Sequence, residues 1–70
     1  MRKHAILLLS RHLFPITGVG VSDLPDTAEI NDVIDTIEDM LFDDASKEAI
    51  QEYLRETITA ENIYEFIWSL

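Results

Sequence analysis

Four acidic side chains in the C-terminal half of the chain have a spacing that could bind a cation. They follow one another at intervals of four residues: Asp44, Glu48, Glu52 and Glu56. On a helix all four would project to one side, and carboxylate oxygens are ligands for calcium and magnesium. Neither a loop of alternating acids nor a neighbouring histidine accompanies them. We therefore predict no metal site and interpret the row as a solvated face or as a surface for a basic partner protein.

The histidines and serines do not have a spacing typical of a catalytic site. His4 and His12 are eight residues apart, so on a helix they would point about 80° away from each other. Both are far in sequence from every acid, and neither Ser10 nor Ser22 has the spacing of a Ser-His-Asp triad. The chain has no cysteine, which excludes disulfides, thiolate zinc sites and a cysteine nucleophile. We predict a chain that is not an enzyme and binds no cofactor.

The charge of the chain is unevenly distributed. It contains 14 Asp and Glu against 5 Lys and Arg, for a formal net charge of -9. Residues 1–20 carry three basic residues and no acid, whereas residues 21–70 carry all 14 acids and two basic residues. So negative a surface repels phosphate backbones and attracts basic proteins. We therefore predict no direct binding of nucleic acid. Instead, the acids could imitate the phosphates of a nucleic acid and so block a protein that binds one.

Seventy residues make one domain at most, and the spacing of apolar residues predicts a small bundle of three or four helices. Residues 2–14 are predicted to form the first helix, with a β-strand over residues 5–10 as the alternative. Pro15 should end this segment, because proline disfavours helix at the residue before it. Residues 15–25 contain both glycines and both prolines and are predicted to be the linker.

Three further helices are predicted from apolar stripes and capping residues. The second should have Asp26 as its N-cap and Glu29 as the reciprocal partner, and should end near Phe42. The third should be capped by Asp44. The last should begin near Ala60, after a new cap. The apolar stripes of the three helices consist of Ile30, Val33, Ile34, Ile37, Met40 and Leu41; Ile50, Tyr53, Leu54 and Ile58; and Ile63, Phe66, Ile67 and Leu70.

The apolar residues exceed what one small bundle easily hides. The surplus lies in the first segment and at the C-terminal aromatic residues, where we predict partner-binding residues: Leu9, Leu13, Phe14, Tyr64 and Trp68. A homodimer, or an exposed site for another protein, would cover them. The apolar run near the N-terminus is too short for a signal peptide or a membrane span. We therefore predict a cytoplasmic chain with no membrane partner.

Two stretches of the chain resemble acyl carrier proteins. Residues 24–30, LPDTAEI, followed by an acidic helix, look like the second helix of these carriers, and residues 58–67, ITAENIYEFI, are similar to their last helix. The resemblance implies an acidic four-helix bundle of similar size, with phosphopantetheine on the serine of an Asp-Ser-Leu motif. Here Leu24 stands where that serine belongs, and the linker is shorter than in the carriers. Ser22 is the nearest residue to which the group could be attached.

The sequence favours a non-enzymatic protein-binding module, an inhibitor or adaptor that occupies the surface of a larger protein. Its apolar N-terminal segment and C-terminal aromatic residues would supply binding energy, and its acids would select a basic partner. The small size and the charge would also suit a protein of a phage or mobile element. A carrier protein and a purely structural homodimer are the alternatives.

Overall fold

The computed structural model describes residues 2–67, which form four α-helices and one short 3-10 helix. No strand occurs within this range, so the prediction of a small all-helical bundle is confirmed and the alternative strand over residues 5–10 is wrong. The elements are α1 (Arg2–Thr17), the 3-10 helix (Val21–Asp23), α2 (Ala28–Phe42), α3 (Lys47–Thr57) and α4 (Ile63–Ile67).

The first helix extends beyond the proline that was predicted to end it. Pro15 lies in the last turn of α1, where it lacks the N–H that would donate to the carbonyl of Arg11. The helix instead ends at Thr17 and is capped by Gly18, whose φ of 75° lies in the left-handed region. The Gly18 N–H donates to the carbonyl of Phe14 at 2.8 Å, which is the hydrogen bond of a left-handed C-cap. The linker is therefore shorter at its N-terminal end than the predicted 15–25.

The N-caps of α2 and α3 are hydroxyl residues and not the predicted aspartates. Thr27 accepts a hydrogen bond from the Ile30 N–H at 3.2 Å, and Ser46 accepts one from the Ala49 N–H at 3.1 Å. Both caps have extended backbone angles, which allow the side-chain oxygen to reach the third N–H of the helix. Asp26 lies one residue earlier and accepts from the side-chain amide of Asn31 instead.

The last helix is preceded by a reciprocal cap. Thr59 and Asn62 each accept a hydrogen bond, through a side-chain oxygen, from the backbone N–H of the other. Asn62 also donates to the carbonyl of Thr57, so one side chain joins the end of α3 to the start of α4. Thr59 thus caps the turn that precedes α4, and regular α-helix begins at Ile63 and not near Ala60 as predicted.

The core of the described residues is entirely aliphatic. Most of the predicted stripe residues belong to it, whereas Met40, Leu41, Tyr53 and Phe66 are half-buried against it. Leu70 lies outside the described residues. The core consists of Ala5, Leu8, Leu9, Leu13, Ile30, Val33, Ile34, Ile37, Ile50, Leu54, Ile58, Ile63 and Ile67.

Candidate binding surfaces

The residues predicted to bind a partner are divided between the core and the surface. Leu9 and Leu13 are each 0% exposed, so neither predicted side chain is at the surface of the folded chain. They lie on the side of α1 that packs into the core, because i, i+4 neighbours share one face of a helix. Phe14 and Tyr64 are 59% and 53% exposed and are available to a partner. Trp68 lies outside the described residues.

The predicted acidic row contains three residues of one helix and not four. Glu48, Glu52 and Glu56 are exposed along α3, one turn apart. Asp44 does not continue the row, because it precedes the helix and occupies a turn with a φ of 59°. Within residues 2–67 no group of three or more acids or histidines is arranged to hold a metal ion.

One of the basic residues of the N-terminal segment is bound to acids of its own chain. The Arg2 guanidinium donates to Asp35 at 3.1 Å, to Glu38 at 2.9 Å and to the side-chain oxygen of Asn31 at 2.9 Å. The three acceptors follow at i, i+4 and i+7 and therefore share one face of α2. The hydrogen bonds to Asp35 and Glu38 raise the pKa of Arg2 above its ordinary value. This contact fastens the start of α1 to the middle of α2.

The aromatic side chains of the described residues all lie at or near the surface. Tyr53 and Phe66 are half-buried, and Phe42 is 76% exposed. The sequence pattern predicts Phe42 only as the last residue of a helix. The residue points about 135° away from the centre of the apolar stripe of α2, so helical geometry alone places it on the surface.

A groove separates α1 from α3. It contains two adjoining cavities of about 340 and about 230 Å³, both lined by Leu8, Arg11, Lys47 and Ile50. The larger continues along α3 past Leu54 and ends beside Pro15 and Ile16 of α1, and the smaller runs toward Leu41 and Ala45.

The groove has an apolar floor and a basic rim. Leu8, Ile50 and Leu54 are buried side chains that form the floor. Arg11, Lys47 and Arg55 are exposed along the rim, and no described acid lines either cavity. Three of the five Lys and Arg residues of the chain thus line this one groove.

Both histidines also line the groove. His4 borders the smaller cavity and His12 the larger. The ring of His12 is fixed by a hydrogen bond of 2.9 Å from Nε2 to the carbonyl of Ile58, so Nε2 carries a proton. His12 therefore ties α1 to the segment that follows α3. The hydrogen bond of His12 therefore helps to hold the helices together.

The attachment site for phosphopantetheine that the carrier resemblance implies lacks its serine in this chain, where Leu24 stands in that place. Leu24, which stands in the place of the carrier serine, is half-buried and packs against the core. Ser22 is exposed in the short 3-10 helix. The positions nearest the motif thus offer one accessible hydroxyl, two residues before the matching place.

Comparison with known proteins gives no relative from which a function could be transferred. No protein-family model matches the sequence, and neither the curated proteins nor the solved structures yielded a match. None of the helices in residues 2–67 combines the length and the apolar character needed to cross a bilayer.

Proposed function

We propose that this chain is a non-enzymatic protein-binding module, an inhibitor or adaptor that occupies the surface of a partner protein. The observation that carries the proposal is the exposure of three aromatic side chains, Phe14, Phe42 and Tyr64, above a core made only of aliphatic residues. Aromatic residues usually contribute the largest apolar area to a core and are also enriched among the residues that dominate binding energy at interfaces. Because Phe14, Phe42 and Tyr64 are exposed, their positions favour a role in binding a partner over a role in the core.

The acids determine the kind of partner that the proposal requires. Phe42 is followed directly by Asp43 and Asp44, and Glu48 begins the exposed acidic row of α3. An apolar anchor beside carboxylates suits a partner with a hydrophobic pocket bordered by lysine or arginine. A protein that binds nucleic acid has a surface of this charge, so the chain would compete with the phosphate backbone for it.

The proposal is tested by capturing a partner and then measuring the binding of the purified pair. The full-length chain is immobilised, lysate is washed over it at low and at high salt, and each retained protein is identified, purified and titrated by calorimetry. Phe42→Ala and Tyr64→Ala should each weaken binding about tenfold or more. The matched control Val21→Ala, which truncates another side chain that is half exposed, should leave the affinity unchanged.

A second set of variants separates the acidic row from the total charge. Neutralising Glu48, Glu52 and Glu56 to glutamine should slow association and flatten its salt dependence, because steering depends on local charge. Neutralising three acids elsewhere, Asp23→Asn, Glu29→Gln and Asp32→Asn, changes the net charge equally and should have a smaller effect. If no purified protein binds directly, or if both sets of variants and the aromatic substitutions leave binding unchanged, the proposed function is wrong.

A further inference from the structure

We propose that the groove between α1 and α3 binds an acidic amphipathic helix of a partner protein. This site is distinct from the acidic row and opposite to it in charge, so it does not rest on the function proposed above. The inference depends on three features: the length of the groove, its apolar floor and its basic rim.

The length and shape of the groove suit a helix. On the α1 side its lining extends from His4 to Ile16, which corresponds to about 18 Å along the helix axis. An occupant of about twelve helical residues would match that length. The two cavities adjoin and are open to solvent, as expected for a groove in which a helix lays its apolar face between two others. Ile50 and Leu54 are almost fully covered, so the apolar face would contact Leu8 at the base of the groove and the exposed Pro15 and Ile16 at its end.

The rim determines the charge of the occupant. Arg2 is bound to α2 and Lys3 does not line the groove, whereas the other three basic residues, Arg11, Lys47 and Arg55, all do. In a chain with a net charge of -9, a basic border without a described acid favours a negatively charged ligand at this place. Carboxylates at the edges of an incoming helix would pair with these side chains while its apolar residues cover the floor.

A second copy of this chain is a poor occupant. Its amphipathic helices α2 and α3 already bury their apolar faces in the core of that copy, through residues such as Ile34 and Leu54. Their exposed faces carry acids but no continuous apolar stripe. The occupant must therefore offer both acids and an unburied apolar face, which describes a helix of another protein.

The test uses a synthetic helical peptide of about 14 residues, with leucine at the a and d positions and glutamate at the e and g positions. Fluorescence anisotropy should show saturable binding to the full chain, and NMR amide shifts should cluster around Leu8, Ile50 and Leu54. A peptide with glutamine in place of glutamate should bind about tenfold more weakly. A peptide of the same composition with its leucines scrambled should not bind.

Variants of the rim provide the matched comparison. Arg11→Gln, Lys47→Gln and Arg55→Gln should each weaken binding of the glutamate peptide by about three- to tenfold. Lys3→Gln removes the same charge from α1 outside the groove and should change the affinity less than about twofold. All four side chains are exposed, so the variants should keep the helical circular dichroism of the parent.

Several results would overturn the inference. Equal binding of the glutamate and glutamine peptides, or equal losses for Lys3→Gln and Arg11→Gln, would show that the rim does not select the ligand. Binding that depends on Glu48, Glu52 and Glu56 but not on the rim would assign the peptide to the acidic row. Dimerisation of the chain alone in analytical ultracentrifugation, abolished by Arg11→Gln, would show that a second copy occupies the groove.

Discussion

The backbone N–H of Ala45 donates to the carbonyl of Met40 at 2.9 Å, across the turn that joins α2 to α3. Within the same turn, the N–H of Asp44 donates to the carbonyl of Leu41 at 3.1 Å. Together these two bonds form a Schellman motif, which satisfies carbonyls that the end of a helix leaves without partners. Met40 and Ala45 also pack against the core, so the motif fixes the direction in which α3 leaves α2.

The Schellman motif places a residue other than glycine in the left-handed region. Asp44 has a φ of 59°, where a side chain is sterically disfavoured and glycine is the usual occupant. We expect Asp44→Gly to raise the free energy of unfolding by about 0.5–1 kcal/mol. Thermal unfolding followed by circular dichroism would register this as a higher Tm. The same substitution removes one acid from a crowded negative region, so its effect needs a control for charge.

Asp44→Asn is that control, because asparagine removes the charge and still tolerates the left-handed conformation. Asp44→Ala removes the charge and keeps the steric cost. The expected order of stability is glycine above asparagine above alanine. If the three variants had the same Tm, charge and not backbone conformation would account for any gain.

The two glycines, Gly18 and Gly20, differ in backbone conformation and should therefore respond differently to substitution by alanine. Gly18 caps α1 with a φ of 75°, whereas Gly20 has a φ of -91° and a ψ of -178°, which alanine adopts readily. An added Cβ would meet no atom within 4 Å at either position, so backbone conformation alone should separate them. We expect Gly18→Ala to cost about 1–2 kcal/mol and Gly20→Ala to be neutral or stabilising by up to about 1 kcal/mol. Urea unfolding measures both, and equal effects would contradict the assigned cap.

Local features of the sequence predicted most of the fold. The stripe that includes Ile30, Val33 and Ile37 was predicted correctly because helical spacing is a property of neighbouring residues alone. Caps were predicted to within a residue or two, since the choice between Asp26 and Thr27 depends on which residue has the extended backbone that directs its oxygen at the helix. Pro15 was predicted to end α1, but the helix continues to Thr17. Burial of Leu13 and the cap at Gly18 both stabilise this last turn and outweigh the cost of the proline.

The groove could not be predicted from the sequence. Arg11 is far along the chain from Lys47 and Arg55, and only the packing of α1 beside α3 brings these side chains to one rim. The distribution of charge along the sequence predicts an acidic molecule with a basic N-terminal segment. It does not predict that Lys47 and Arg55, from the acidic half, line the same groove as Arg11. For the same reason, the sequence does not predict the burial of Leu9, which depends on the packing of α1 into the core.

The carrier alternative leads to a prediction about Ser22. Leu24 has no hydroxyl and packs against the core, so the place of the carrier serine cannot hold phosphopantetheine. We expect no increase in intact mass when the chain is expressed with a phosphopantetheinyl transferase and coenzyme A is present. A mass increase that disappears in Ser22→Ala and persists in Ser10→Ala would contradict this expectation and would favour a carrier function.

Leu9 and Phe14 were both predicted to bind a partner, and their burial now assigns them different roles. Leu9 is fully buried, so Leu9→Ala should lower the free energy of unfolding by about 2–5 kcal/mol. Because a chain of this size has only about 4–10 kcal/mol in total, Leu9→Met, which nearly conserves volume, is the milder variant and should cost less than about 1.5 kcal/mol. Phe14→Ala should change the free energy by less than about 0.5 kcal/mol.

Urea unfolding at two protein concentrations measures all three variants and also tests for a homodimer. A monomer unfolds at the same urea concentration whatever the protein concentration, whereas a dimer becomes more stable as the protein concentration rises. If Phe14→Ala cost as much as Leu9→Ala, and if that cost grew with protein concentration, a second copy would be covering Phe14 in solution. Phe14 would then anchor a homodimer and would not be available to a foreign partner. A small cost that does not vary with concentration would leave Phe14 exposed in solution, as the proposed function requires.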